Sequence, residues 1–300
     1  MNFMPHSIPT EASLGTGKQM IILIHDLWLK PESLELFKNF YYECGYEVLS
    51  PAWPRMENFH GLRENADLLA GLGLLEIVDH YAEFVRRQNQ TPILIGHGFG
   101  GLVVQMLLDR GLGKVGVAIA APPPRGILLV PFSVLQAANS ILRNPKNYER
   151  AVTLSFKQFR KALANTVPVE TARVLYDTYA IPGPARPLFE VALASLNPRT
   201  RIRVHHRNSH RGPLLLIVGA KDRLVPPVLN RINYKKYVGW GAVTGFKEFP
   251  GRSHLLVAEV GWPEVADYAL TWVQQQIAKE AEEGKIDILT PADFEVVETI

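Results

Sequence analysis

Hydrophobic residues follow two alternating patterns along the chain. Tyr46–Leu49 predicts a short strand, and continuous apolar runs at Met20–His25, Pro92–Ile95, Val115–Ala121 and Pro213–Gly219 have strand length and little polar alternation. Such runs are expected of strands buried on both faces of a parallel sheet. Thr244–Phe249 predicts a last strand. Between the runs, apolar positions recur at helical spacing. Pro31 and Glu32 open a helix carrying Leu34, Leu36, Phe37 and Phe40, and Gly45 stops it. Leu74–Arg87, Gly101–Arg110 and Trp262 to Ala281 predict further amphipathic helices. Strands alternating with helices at this spacing predict βαβ units with right-handed crossovers, and so an α/β fold.

The rhythm breaks once. Residues 127–212 show helical periodicity without buried strands, over Val130–Leu142, Ala151–Ala164, Val169–Tyr179 and Pro187–Leu196. Pro168, Pro182, Pro184, Pro187 and Pro198 punctuate these segments. The expected organisation is a lead-in over 1–18, an α/β core over 19–126, a helical cap over 127–212, the rest of the core over 213–283, and an acidic C-terminal tail over 284–300.

With 300 residues and 47% hydrophobic content, the chain has enough apolar surface for a sizeable core. The net charge is +3, a small excess of bases. The densest basic stretch, Arg199 to Arg211, has no interleaved aromatics and no nucleic-acid motif, so it reads as a solvated loop and no nucleic-acid partner is expected. The single cysteine, Cys44, excludes an internal disulfide and fits a reducing compartment. There is no basic start followed by an apolar segment, and no apolar run of about eighteen residues. A cytoplasmic protein without a membrane span is the expectation. His205, His206 and His210 lack common zinc spacing, so neither a metal nor another cofactor is expected.

Candidate chemistry begins at residues 91–101, which read Thr-Pro-Ile-Leu-Ile-Gly-His-Gly-Phe-Gly-Gly. A strand runs into a glycine-rich turn and straight out into a helix. That is the layout of a G-x-S-x-G nucleophile elbow, with Gly98 standing where the attacking hydroxyl belongs. Three more loops follow predicted strands: His25-Asp26-Leu27-Trp28, Gly219 to Pro227 around Asp222, and Phe249 to His254. Open α/β sheets place their sites at such carboxyl ends.

Taken together, these motifs resemble the α/β-hydrolase superfamily over residues 20–280, and within it the capped, bacterial-type esterase and lipase-like branch. The resemblance implies a mostly parallel central sheet with helices on both faces and a helical cap inserted before the strand leading to Asp222. It implies that Asp222 is the acid, that His254 is the general base, and that the backbone N–H groups of Phe99 and Leu27 are the oxyanion-hole donors. His25, Trp28, His97 and Val225 are expected around the pocket, His97 as a structural residue beneath the turn.

Two positions depart from the pattern. Gly98 removes the nucleophile. Asp26 stands where the family usually has the second residue of a His-Gly motif, and a carboxylate there would repel a developing oxyanion. Asp26 is also a candidate to act as a base or to hold a water if it faces His254. Ser253 is expected to point away from the pocket, and Cys44 to serve packing. Phe132, Leu135, Phe156, Phe159, Tyr176, Tyr179 and Phe189 of the cap are expected partly to pack on one another and partly to roof an apolar chamber, with Trp28 and Trp53 at its rim. The expected partner is a hydrophobic small molecule, with a homodimer also allowed. Three readings follow. The first is a family member of hydrolase ancestry using His–Asp general-base chemistry without an acyl-enzyme. The second is a small-molecule-binding pseudoenzyme, and the third is a serine esterase inactivated at residue 98.

Overall fold

The computed structural model describes residues 18–56, 66–127, 139–197 and 199–286. Phe132 and Leu135, most of the helix expected over Val130–Leu142, the lead-in up to residue 17 and the tail from 287 lie outside the described residues. The elements in order are β1 (Met20–Ile24), α1 (Glu35–Glu43), β2 (Glu47–Leu49), α2 (Leu74–Arg86), β3 (Ile93–His97), α3 (Phe99–Asp109) and β4 (Gly116–Ile119). An insert follows, with β5 (Ala151–Val152), α4 (Phe156–Ala162), α5 (Val169–Tyr179), β6 (Gly183–Pro184) and α6 (Arg186–Ala194). The chain then returns through β7 (Leu214–Gly219), α7 (Pro227–Tyr237), β8 (Thr244–Phe249) and α8 (Trp262–Ile286).

The main sheet has the order β2-β1-β3-β4-β7-β8, and every neighbouring pair in it is parallel. The continuous apolar runs have a direct physical cause. In β1, Ile22 and Ile24 join one hydrophobic cluster, while Ile21 and Leu23 join a second on the opposite face. In β7, Leu214 and Leu216 face one way and Leu215 and Ile217 the other. A strand covered on both sides has no position at which a polar side chain is solvated. One cluster carries α2, α3 and the insert; the other carries α1 and α8, tied together by the Tyr41 hydroxyl donating to the Ala266 carbonyl.

One expectation needs correction, and one helix was not expected. The segment 151–164 is not one helix: Ala151–Val152 pairs antiparallel with Gly183–Pro184, and the helix begins at Phe156 behind a Ser155–Gln158 capping box. The insert therefore contains a small ribbon, with Gly183 and Pro184 buried. Helix α7 has no counterpart in the apolar pattern. It docks on α3 through amides, with Asn233 Nδ2 and the Tyr237 hydroxyl both donating to Gln105 Oε1 at 2.8 and 3.2 Å. A helix seated by buried, hydrogen-bonded polar residues shows little hydrophobic periodicity.

The strand order reverses between β1 and β3, because the chain leaves β1 for β2 on one side and returns to place β3 on the other. Such a switch point opens a crevice at the strands' carboxyl ends. The insert closes over it. The Lys30 N–H donates to the Tyr179 carbonyl, the Ile181 N–H to Trp28, and the Leu255 N–H to Leu163.

Candidate active site

Gly98 is the hinge between β3 and α3, with φ 55° and ψ −123°, a backbone conformation that side chains with a Cβ rarely adopt. Its N–H donates to the Ile119 carbonyl at 2.8 Å, which fixes the turn to β4. Gly100 lets α3 start in contact with β1; a Cβ there would overlap the Ile24 carbonyl. The first free amide of α3, that of Phe99, points into the crevice at the switch point.

Asp26 fills that crevice from the end of β1. Its Oδ1 accepts the Phe99 N–H at 2.7 Å, and its Oδ2 lies 3.3 Å from His254 Nε2. On the other side of the imidazole, His254 Nδ1–H donates to Asp222 Oδ2 at 2.8 Å. Asp222 is itself held by its Oδ1, which accepts the N–H groups of Leu224 and Val225 at 2.8 Å each. The sequence-predicted members Asp222, His254, Gly98, Phe99 and Asp26 therefore meet at one point. Asp26 and His254 are 1% and 0% exposed, so the three ionisable groups interact with little solvent screening.

The charges follow from that burial. Desolvation alone would pull His254 down, but the Asp222 carboxylate, and then Asp26, outweigh it and push the imidazole up to about 10. Burial pushes Asp26 upward, yet its hydrogen bond to His254 and the His254 charge hold it at about 2. Burial raises Asp222 against the opposing pull of His254 and the two amides. The two neighbouring carboxyl groups together favour the protonated form of the His254 imidazole. The general base expected from the sequence is thus biased toward its protonated form.

The other expected pocket residues are buried as supports. His97 Nε2–H donates to the His254 carbonyl at 2.8 Å, and burial lowers the ring to about 4. His25 donates from Nδ1 to the Asp26 carbonyl at 3.0 Å, accepts the Trp53 N–H on Nε2 at 3.3 Å, and stacks on the Trp53 ring. Burial lowers His25 to about 4 as well. Both rings are neutral at pH 7. Trp28 Nε1–H donates to the Val152 carbonyl in the insert, and Val225 is buried beside Asp222. Leu27 is buried, and Gly183 packs against its carbonyl.

A match to the model of the alpha/beta hydrolase family spans residues 21–268. The chain belongs to the alpha/beta hydrolase family. Among solved structures of this fold, an extracellular alpha/beta-hydrolase from a Paenibacillus species is 19% identical, covering 84% of this chain and 98% of its own, with a TM-score of 0.59. A pyrethroid hydrolase from Sphingobium faniae is 16% identical over 85% and 96% of the two chains, TM-score 0.61. Tomato methylketone synthase I, in complex with beta-ketoheptanoate, is 12% identical over 88% and 100%, TM-score 0.63. These likenesses concern the fold. No curated protein matches the chain in sequence.

In the insert, described aromatics pack on one another, as the sequence predicts in part: Phe156 and Phe159 against Tyr176, and Phe189 against Tyr148. A cleft of about 200 Å³ lies beside Phe189, lined also by Leu75, Leu193 and Ile202, and Asp26, Asp222 and His254 do not border it. Ser253 turns away from His254 as expected, its hydroxyl donating to Glu259. Glu259 went unnoticed in the sequence. It accepts the Ser253 N–H at 2.9 Å and the Thr166 hydroxyl at 2.7 Å, so it clamps the His254 loop to the insert. Only its place five residues after His254 hinted at such a role. Cys44 sits at the end of α1, where burial raises its thiol. Among the described residues no group of three or more His, Cys, Asp or Glu could hold a metal, and no helix is long and apolar enough to cross a membrane.

Proposed function

We propose that this hydrolase-family protein acts on a hydrophobic small molecule by proton transfer within the Asp26–His254–Asp222 triad, without an acyl-enzyme at residue 98. One observation carries the reading. A Cβ on Gly98 would overlap Asp26 Oδ1 and Cγ, and would lie 2.7 Å from even the farther oxygen, Oδ2. A nucleophilic side chain at 98 and the Asp26 carboxylate therefore exclude each other, and Asp26 also takes the Phe99 amide that would serve as oxyanion donor.

The two bonds of His254 divide the labour. The short one to Asp222, 2.8 Å, fixes the ring; the long one to Asp26, 3.3 Å, holds the transferable Nε2 proton weakly. In the resting state His254 is thus the acid, and it becomes a base only after giving that proton to a substrate anion. Elimination and cyclisation are the reaction classes this suits. The ester-cleaving relatives share the scaffold; residues 26 and 98 argue for a different use of it.

The test is labelling by a serine-directed fluorophosphonate. Wild type and Gly98→Ser should both stay unlabelled, and Gly98→Ser combined with Asp26→Gly should label. Labelling of wild type, or of Gly98→Ser alone, would overturn the proposal.

A second reading, a binding protein without turnover, is favoured by the burial of all three triad side chains. Ligands found by thermal shift separate the two. His254→Gln abolishes turnover with ligand-induced stabilisation retained under the first reading. Under the second, no stabilising ligand is turned over by wild type.

A further inference from the structure

The basic stretch Arg199 to Arg211 lacks aromatics in sequence, but the fold supplies one. The Arg207 guanidinium lies 4.1 Å from the centre of the Trp240 ring. Trp240 belongs to the loop between α7 and β8, and this loop presents Val238, Trp240 and Val243 to solvent at 50%, 42% and 48% exposure. Single exposed apolar residues are ordinary; three within six positions form a patch.

Beside the patch, under the amino ends of the strands, opens a groove of about 720 Å³. Lys114, Lys279, His210 and Arg211 line it together with Gly241 to Val243. Arg211 is an anchor, donating to the carbonyls of Gly212, Ala242 and Val243. Glu280 is the carboxylate on the rim, 3.9 Å from Lys114. Lys279 and Arg207 have no carboxylate partner among the described residues, so positive charge predominates.

We infer that this underside docks on an anionic phospholipid surface, with Val238, Trp240 and Val243 entering the headgroup boundary and Arg207, Lys279 and Lys114 meeting the lipid anions. A bilayer surface takes apolar side chains and cations side by side, and Trp favours that boundary. A single-stranded nucleic acid would need aromatic faces for stacking, and Arg207 already lies over one face of Trp240. The patch lies at the opposite end of the sheet from Asp26 and His254. Docking therefore leaves the triad end of the molecule in solution.

Sedimentation of the full chain with lipid vesicles tests this. In about 0.1 M salt, vesicles containing about 30% phosphatidylserine should bind at least about tenfold more protein than phosphatidylcholine alone, with release in about 0.5 M salt and a blue shift of tryptophan emission. Val238→Ser with Trp240→Ser, and Arg207→Glu with Lys279→Glu, should each lower binding about tenfold at unchanged melting temperature. The inference is overturned if the wild type ignores phosphatidylserine vesicles, binds both vesicle types equally, binds undiminished in both double variants, or leaves the vesicles for a single-stranded oligonucleotide.

Discussion

Asp26 and Gly98 are complementary. The carboxylate at the end of β1 occupies the volume that any side chain on the β3–α3 hinge would need, and it binds the amide of the next residue, Phe99. The absence of a side chain at 98 is therefore a packing condition for Asp26. Neither residue can be altered without reference to the other.

Gly98→Ser should accordingly destabilise the fold by about 2–4 kcal/mol, from overlap with a buried, ion-paired carboxylate and from strain at φ 55°. Adding Asp26→Gly removes the overlap but leaves His254 without its second carboxylate. The two changes should couple by at least about 1 kcal/mol in a double-mutant cycle of urea unfolding. Simple additivity would show that the side chains do not share space.

Asp26→Asn keeps the volume and removes the charge. It should cost about 3 kcal/mol of stability, as removal of one partner from a buried ion pair typically does. It should also lower the His254 pKa, because the Asp26 contribution to the raised value is lost. Imidazole nitrogen shifts followed through a pH titration report the change; an unmoved His254 titration would refute the coupling.

Stability should peak near pH 6.5 and fall on both sides. His254 is raised from 6.5 to about 10, so its contribution is complete below pH 6.5 and lost as pH rises through 10. His25 and His97 are lowered to about 4, so the unfolded chain binds more protons than the folded one as pH falls from 6.5 towards 4, and stability drops there too. Urea midpoints measured across this range test the shape, and His254→Gln should flatten the alkaline limb.

Gly100→Ala should be among the most damaging small substitutions, costing more than about 3 kcal/mol, because the new Cβ meets the Ile24 backbone and no side chain can move aside. Glu259→Gln should be milder, about 1–2 kcal/mol. It weakens charge-assisted bonds to Ser253 and Thr166 without removing the side chain. Thermal melts of the two variants give the order.

The sequence by itself determined the strand–helix alternation and the glycine hinge at 96–100; the Asp222 and His254 loops were singled out through the family resemblance. It could do so because strands buried on both faces leave no polar position, and because tight turns at fixed offsets demand particular residues. Helix α7 escaped because Asn230 and Asn233 are buried in it, leaving no apolar stripe to read. The ribbon at 151–152 and 183–184 escaped because its two halves are far apart in the chain. The direction of Asp26 was decided only by tertiary structure. A side chain one residue beyond a strand can turn toward solvent or inward. Here the Phe99 amide across the switch point and the His254 imidazole from a loop more than two hundred residues away together draw it inward. Charge followed from the same convergence: two buried carboxyl groups, one from the end of β1 and one from the loop after β7, push the His254 imidazole upward, which no local pattern encodes.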